Sequence, residues 1–191
     1  MRLLTIDTET TGFPNTEYPV SHSSQPEVLS LGWILSEEAT PVSQGQIFIK
    51  GDKYINEGAF KCHGLNREFV NAFGVPVEAG SKLVNELITQ SQMVIGYNIE
   101  FDLKMLDILL GSKEGVHRTV KQKCVMQAMT PVCKIIKSNG AGYKFPKLRE
   151  AYEHCFPGTP APEFHRALDD CFSTLSIYGW LVNNKPEVLA S

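Results

Sequence analysis

Short apolar and β-branched runs are separated along this 191-residue chain by longer stretches whose apolar positions recur at helical spacing. The short runs predict five strands, at residues 2–7, 28–36, 46–50, 93–97 and 123–126. A short connection joins the second and third strands and indicates that they pair antiparallel. The run at 93–97 is short and mostly apolar, which is typical of a buried parallel strand.

The longer stretches predict six helices, at residues 66–73, 77–91, 98–110, from the fifth strand to about 137, 147–156 and 167–184. Three strands therefore come first, then helices and strands alternate, and helices end the chain. This order predicts an α/β fold with a mixed sheet flanked by helices. Residues 8–27 contain three prolines and predict a long loop, which in a compact domain is usually functional.

The composition, with 42% apolar and 20% charged residues, is that of a soluble globular protein, and the length fits one domain over residues 1–191. No apolar run approaches the ~20 residues of a membrane helix. The first residues are too short for a signal peptide, so we expect a cytoplasmic protein. The net charge of −3 argues against a general nucleic-acid-binding protein. The five cysteines form no CxxC pair, which predicts reduced thiols.

The first acidic motif, DTETTG at residues 7–12, follows the first predicted strand directly. Alternate residues of a strand share a face, so Asp7 and Glu9 project to the same side, with Cα atoms about 6–7 Å apart. Ligands collect at this edge of open α/β sheets, although two acids could also simply begin a solvated loop. Gly12 permits a tight turn, and Phe13 either stacks on a terminal base or belongs to the core.

The second motif is the segment NIEFD, which begins with Asn98 and ends with Asp102. Asn98 is predicted to cap the following helix. Asp102 begins the apolar stripe of that helix, which continues through Met105, Leu106 and Leu109. A carboxylate on the core face is costly to bury unpaired, and a metal, or a water bound to one, would remove that cost. The alternative is an acid of the first turn that the helix dipole favours.

The third motif, HRALDD, runs from His165 to Asp170. Five residues turn a helix by about 500°, so these two side chains would not share a helical face. We therefore predict His165 on the loop before the last helix and Asp170 in its first turns, with Asp169 facing solvent. A histidine with a pKa near neutrality can accept a proton from an attacking water. A lone histidine is also common as a cap or a surface residue.

Basic residues cluster in the last third of the chain: Lys134, Lys137, Lys144, Lys147, Arg149 and Arg166. With Tyr143 they either line a groove for a phosphate backbone or form a solvated basic face. The remaining histidines form no set and are interpreted as structural or exposed: His22, His63, His117 and His154.

The four motif acids come from distant parts of the chain: Asp7, Glu9, Asp102 and Asp170. If folding gathers them, they cannot share a small volume unpaired, and two divalent cations would stabilise them. Such ions would also reverse the sign of the local charge. A histidine beside the pair suggests hydrolysis of a phosphodiester.

The order and spacing of the three motifs, D-x-E-T-x-G, N-x-x-x-D and H-x-A-x-x-D, resemble those of the DnaQ-like 3′→5′ exonucleases of the DEDDh class. The segment CHGL at residues 62–65 is similar to the H-G-[IL] segment of that family. The sister class has a tyrosine where Arg166 stands here, so the histidine class fits. The resemblance covers nearly the whole chain. It implies an RNase H-like fold, in which three antiparallel strands precede the parallel strands of a five-stranded mixed sheet.

The resemblance also implies roles for the motif residues. Asp7, Glu9 and Asp170 would bind the first of two Mg²⁺ or Mn²⁺ ions, with Asp7 bridging to the second. Asp102 would act mainly through metal-bound water, and His165 would be the general base. We predict further substrate contacts from Thr10, Thr11, Gly12, Phe13 and Asn98.

These roles predict hydrolysis at the 3′ end of a single strand, with DNA favoured, releasing nucleoside 5′-monophosphates. An exoribonuclease of the same fold is an alternative, because nothing in the sequence reads the sugar 2′ position. A non-catalytic nucleic-acid-binding module and a metal-binding structural protein are two more. The pathway (proofreading, repair, phage replication or RNA trimming) is left open. A second copy or a polymerase could be the partner.

Overall fold

The computed structural model describes residues 1–111, 120–160, 162 and 165–190. It contains one five-stranded sheet with the strand order β3-β2-β1-β4-β5. The strands are β1 (Arg2–Thr10), β2 (Val28–Glu37), β3 (Thr40–Phe48), β4 (Met93–Gly96) and β5 (Lys121–Cys124). The first three pair antiparallel, and β4 and β5 continue the sheet in parallel with β1. The predicted RNase H-like mixed sheet is confirmed.

Seven α-helices lie within the described ranges: α1 (Glu57–His63), α2 (Arg67–Phe73), α3 (Val77–Gln90), α4 (Ile99–Leu110), α5 (Val125–Cys133), α6 (Leu148–Cys155) and α7 (Ala167–Asn184). A 3₁₀ turn, Pro186–Leu189, follows α7. None of the helices in these ranges combines the length and the apolar character that crossing a membrane requires. The five cysteines are free thiols, as predicted.

The alternation of side chains along β1 sorts the core into two layers. Leu3 is buried in the layer that contains α5, α6 and α7. Leu4 and Ile6 are buried on the opposite face, against α3 and α4. Each such buried side chain contributes about 1.5–3 kcal/mol to folding. Since positions two apart share a face, Asp7 and Glu9 point to the same side as Leu3, toward α7.

Strand β1 is longer than the predicted 2–7, because its pairing with β2 continues through Glu9 and Thr10. The two acids of the first motif are therefore strand residues and do not begin the loop. Strand β3 begins at Thr40 and not at residue 46, since its exposed polar residues hide it from a hydrophobicity pattern. Strand β5 spans Lys121–Cys124 and not 123–126, with two exposed residues at its start.

Helix α1 was not predicted. It has seven residues and none of them is buried, so it shows no apolar stripe. Its ends carry the local signals that were overlooked: the Asn56 side chain caps it, and Gly64 ends it in the left-handed conformation. Helix α5 ends at Cys133 and not near 137, because Lys134 adopts a left-handed conformation with φ of 51°.

The loop after β1 is closed by hydrogen bonds at its base. The Thr11 amide donates to the Glu27 carbonyl at 2.9 Å, and the Glu27 amide donates to the Thr11 hydroxyl at 2.9 Å. Gln25 is buried and its side-chain amide donates to the carbonyls of Asn15 and Tyr18. These contacts hold an otherwise irregular segment beside the carboxyl end of β1.

Candidate active site

Three carboxylates meet at the carboxyl end of β1. Asp7 and Glu9 come from β1, and Asp170 comes from the first turn of α7. One oxygen of each lies within 4.8 Å of the others. Glu9 and Asp170 are buried and Asp7 is partly buried. Asp7 and Asp170 are far apart in sequence, but they are close in space because α7 packs directly onto the sheet.

Gly32 is what allows α7 to reach this place. It lies in β2 opposite Asp7. A Cβ atom at position 32 would be 2.4 Å from the carbonyl carbon of Ala167, the first residue of α7. The backbone of the helix therefore rests on the backbone of the strand, and Asp170 is brought over Asp7.

We expect Gly32→Ala to displace the start of α7 and with it Asp170. Overpacking of this kind costs about 1–3 kcal/mol, so the melting temperature should fall by about 5 °C. The phosphodiester hydrolysis predicted from the motifs should fall further than stability does, because the carboxylates would no longer converge. Thermal unfolding, and hydrolysis of an oligonucleotide below the unfolding transition, measure the two effects. Gly179→Ala is the matched control, since the nearest atom to a Cβ at position 179 would be the Cβ of Ala39, farther away at 3.3 Å. Equal activity of Gly32→Ala and the wild type would contradict this account.

Asp102 enters the site from the opposite face of the sheet, in the first turn of α4. It is 2% exposed. Its Oδ1 atom accepts hydrogen bonds from the Thr8 amide at 2.9 Å and from the Thr8 hydroxyl at 2.7 Å. Thr8 lies between Asp7 and Glu9 and faces away from them, so it couples α4 to the strand that carries the other acids.

Burial is the largest cause that raises the pKa of each of the four acids, and for Asp7, Glu9 and Asp102 the charges of other site acids add to it. Burial, followed by the charges of the other three acids, raises the pKa of Asp7 well above its ordinary value. Burial and the charges of Asp170 and Asp102 raise the pKa of Glu9 to about 8. Burial raises the pKa of Asp102 to about 7 against the opposing Thr8 hydrogen bonds. Burial also raises the pKa of Asp170 to about 6, although a hydrogen bond from the His165 backbone amide opposes this shift. Near neutral pH the site thus has fewer than four negative charges unless cations compensate them.

His165 lies on the loop before α7, as predicted. Its backbone amide donates to Asp170 Oδ2 at 3.1 Å, and its ring Nδ1 is 3.2 Å from the Cys62 sulfur of α1. Its φ of 71° is left-handed, and so is the φ of 67° at Asn98. Both residues stand at the entry to a helix that carries an acid. The strained backbone there fixes the direction in which Asp102 and Asp170 enter the site.

A cavity of about 480 Å³ opens beside Glu9, between the sheet edge and helices α1 and α2. Its lining includes His165, His63 and Phe69. The ring of His63 is 3.1 Å from the Thr10 carbonyl oxygen, and burial lowers its pKa. His63 is therefore structural, as interpreted, but it also borders the site. The volume lies in the range of sites that hold a small ligand.

Phe13 is 88% exposed, so it does not belong to the core. Its ring packs edge-on against Phe101, with 5.8 Å between the ring centres. Phe101 precedes Asp102, so this aromatic pair borders the carboxylates on the α4 side. The pair presents an aromatic surface to solvent at the mouth of the site.

The residues fit a divalent cation. All four acids supply carboxylate oxygens, the ligands that Mg²⁺ and Mn²⁺ prefer. The Oδ1 atom of Asp170 is buried and has no hydrogen-bond partner among the described residues. A buried carboxylate oxygen without a donor is costly. A cation held by Asp7, Glu9 and Asp170 would remove that cost.

The structure gathers the five residues predicted as catalytic. The structure gives different surroundings to the residues that were predicted to bind substrate. The Thr10 hydroxyl donates to the Gly12 carbonyl at 2.8 Å, and the Thr11 hydroxyl accepts the loop hydrogen bond described above, so both hydroxyls serve the backbone. Asn98 stands at the N-cap of α4, but its side chain makes no capping hydrogen bond, contrary to the prediction. His117 lies outside the described residues.

Sequence reasoning missed three residues that shape the site. Thr8 was overlooked because a threonine between two acids has no distinctive pattern. Gly32 was overlooked because a glycine in a strand indicates a close approach but does not identify the partner. Cys62 adjoins His165 only through tertiary packing, and no sequence signal would have found it.

Comparisons with known proteins identify a family and a fold for this chain. The family model described as exonuclease, RNase_T, matches residues 4–178. Escherichia coli exonuclease I in complex with a dA16 oligonucleotide is similar in structure, with a TM-score of 0.78 and 16% identity over 99% of this chain and 42% of that chain. The moderately thermophilic exonuclease I of Methylocaldum szegediense gives a TM-score of 0.72 and 17% identity over 98% and 41%. The chain thus spans less than half of these structures, and at such identities the likeness shows the fold. No curated protein sequence matches the chain.

Proposed function

Because this chain belongs to the exonuclease family whose model spans residues 4–178, we propose that it removes nucleotides one at a time from the 3′ end of a single strand and releases nucleoside 5′-monophosphates. The membership confirms the resemblance to DnaQ-like exonucleases and the exonuclease assignment. We propose three further properties: the direction in which this chain digests its own substrate, its preference for one sugar, and the ions that it uses.

One observation carries the proposal: oxygens of Asp7, Glu9 and Asp170 lie within 4.8 Å of one another, and Glu9 also lines a cavity. Such a convergence of buried acids destabilises the fold unless cations bind there. A site that is costly to fold and rich in oxygen ligands is typical of metal-dependent phosphodiester hydrolysis.

We propose two divalent cations, Mg²⁺ or Mn²⁺. Asp7, Glu9 and Asp170 would hold one of them, and Asp7 and Asp102 would orient the second. When bound, the ions supply an activated water and neutralise the charge of the phosphate. Thr8 positions Asp102 through the two hydrogen bonds to its Oδ1 atom.

The other residues bind the strand and move the proton. His165 lines the cavity with Glu9 and accepts the proton of the attacking water at a ring nitrogen. The Phe13 and Phe101 rings stack on the base of the terminal nucleotide. This contact excludes water from the reacting phosphate and holds the strand in one position relative to the carboxylates. A stacking contact accepts any base, which suits an enzyme that digests strands of any sequence.

DNA is the proposed substrate because structures of Escherichia coli exonuclease I were determined with dA16 and dT13 oligonucleotides. The test is digestion of end-labelled single- and double-stranded DNA and RNA of matched sequence, with Mg²⁺ and then with a chelator. We expect a ladder that shortens from the 3′ end of single-stranded DNA only while the metal is present. Faster digestion of RNA would make the chain an exoribonuclease. Binding without digestion would make it a non-catalytic module.

We expect His165→Ala to reduce turnover at neutral pH about a hundredfold, the usual contribution of a positioned general base. Metal affinity, measured by the rise in melting temperature with Mn²⁺, should change little, because only the His165 backbone contacts Asp170. His154→Ala is the control, since His154 lies on α6 against Trp180. Turnover of His165→Ala at the wild-type rate would refute the role of the imidazole.

A further inference from the structure

Residues 134–147, here called the basic arm, carry four positive charges and no carboxylate, in a chain whose net charge is −3. Two backbone hydrogen bonds join the two sides of the arm. The Lys137 amide donates to the Gly142 carbonyl at 3.0 Å, and the Lys144 amide donates to the Ile135 carbonyl at 2.8 Å. The arm is therefore a small two-stranded projection that begins where α5 ends.

Large apolar side chains stay exposed on this projection. Ile136 is 67% exposed, Phe145 is 59% exposed and Tyr143 is 43% exposed. Three exposed lysines surround them: Lys134, Lys137 and Lys147. Exposed aromatic rings among cations are typical of surfaces that stack bases and neutralise phosphates. A basic face that was merely solvated would not need two aromatic rings in water.

The base of the arm is anchored at the acidic edge of the sheet. Tyr97 directly follows β4, and its hydroxyl donates to the Pro146 carbonyl at 2.7 Å. The helix that supplies Asp102 begins two residues after Tyr97. The Tyr97 side chain thus links the arm directly to the end of β4. Lys144 bonds both carboxylate oxygens of Glu150, at 2.7 and 2.8 Å, and so ties the projection to α6.

We propose that the basic arm binds the part of the single strand that lies on the 5′ side of its 3′-terminal nucleotides. The inference rests on the proposed function, because it takes the end of that strand to lie at the carboxylates. Lys134, Lys137 and Lys147 contact phosphates. Tyr143 and Phe145 stack on bases. Since the acidic edge repels a polyanion, a neighbouring cationic surface supplies the attraction that the rest of the chain lacks.

Binding and digestion test the arm separately. An arm-lysine variant replaces three residues by alanine: Lys134, Lys137 and Lys147. A matched variant replaces three exposed lysines elsewhere: Lys82, Lys121 and Lys185. We expect the arm-lysine variant to bind a fluorescein-labelled single strand of about 20 nucleotides roughly tenfold more weakly by anisotropy, and its log–log salt slope to be shallower by about 2. The matched variant should keep the wild-type affinity and slope.

Digestion gives a second measure. For the arm-lysine variant, the ratio of kcat/KM on the long strand to kcat/KM on a dinucleotide should fall about tenfold. Arginine in place of the same three lysines should restore the ratio, which excludes misfolding as the cause. Tyr143→Ala with Phe145→Ala should weaken binding about tenfold without changing the salt slope, because stacking releases no counterions.

An arm-lysine variant that binds and digests the long strand like the matched variant would overturn the inference. The inference would also be overturned if the arm bound an acidic peptide and the arm-lysine variant kept the wild-type affinity for the oligonucleotide. The proposed function fails on a different result, namely no digestion by the wild type with Mg²⁺. The anisotropy measurement needs no turnover, so the two failures are distinguishable.

Discussion

Asp170→Asn is expected to lower digestion of single-stranded DNA about 10⁴-fold, the size of effect seen when one member of a catalytic unit is removed. It is also expected to raise the melting temperature of the metal-free protein. The amide keeps the oxygen that accepts the His165 backbone hydrogen bond. Its NH₂ group donates toward the acids around it, where the Oδ1 of Asp170 has no partner among the described residues. One repulsive charge is replaced by a donor.

The opposite signs of these two changes make the prediction specific. A residue that only holds the fold together loses stability and activity together, whereas a buried metal ligand loses activity and gains stability in the metal-free state. Asp169→Asn is the control, because Asp169 is the neighbouring acid of the same helix turn. Its activity should stay within a few-fold of the wild type. A fall in melting temperature for Asp170→Asn would contradict our account of the site.

The metal-free protein is expected to lose stability as the pH rises. The pKa of Glu9 in the folded state is raised to about 8, that of Asp102 to about 7 and that of Asp170 to about 6, while all three lie near 4 in the unfolded chain. The folded state therefore binds more protons between these values, so the contribution of these three acids to stability is greatest below about pH 4 and falls as the pH rises toward 8. We expect the melting temperature to drop by about 10 °C between about pH 5 and about pH 8.

Mn²⁺ or Mg²⁺ should reverse most of this loss, and by more at pH 8 than at pH 6, since the ion competes with protons for the same carboxylates. Differential scanning fluorimetry across the pH range, with chelator and with each ion, measures both effects. The Glu9→Gln variant isolates one carboxylate, and its metal-free profile should be flatter than that of the wild type. A melting temperature that is independent of pH in the chelated wild type would show that the acids do not repel one another.

The sequence predicts the order of the elements well where burial imposes a pattern. Strand β4 and helix α4 lie in the core and were recognised within one or two residues of their bounds. Helix α1 and the start of β3 lie at the surface, where no hydrophobic period records them. Local hydrophobicity therefore locates the interior elements, and also α2 beside the cavity, but it misses α1.

The candidate site is predictable for a different reason. Asp7, Asp102 and Asp170 each stand where an acid is poorly tolerated unless it has a function, at a strand end or on an apolar helix face. The geometry that joins them is set by contacts with no local signature. Gly32 beneath α7 and the left-handed backbone of His165 are two such contacts. Sequence reasoning thus identified the acids that the structure brings together, but not the contacts that orient them.

The separation of Asp7 and Asp170 along the chain has a consequence during synthesis. Strand β1 leaves the ribosome early, while α7 emerges only when translation has passed residue 184. Until that helix docks on Gly32, the nascent polypeptide lacks one of its three converging carboxylates. A product that ends upstream of α7 would therefore keep Asp7 and Glu9 but lack Asp170, and its carboxylate cluster would stay incomplete.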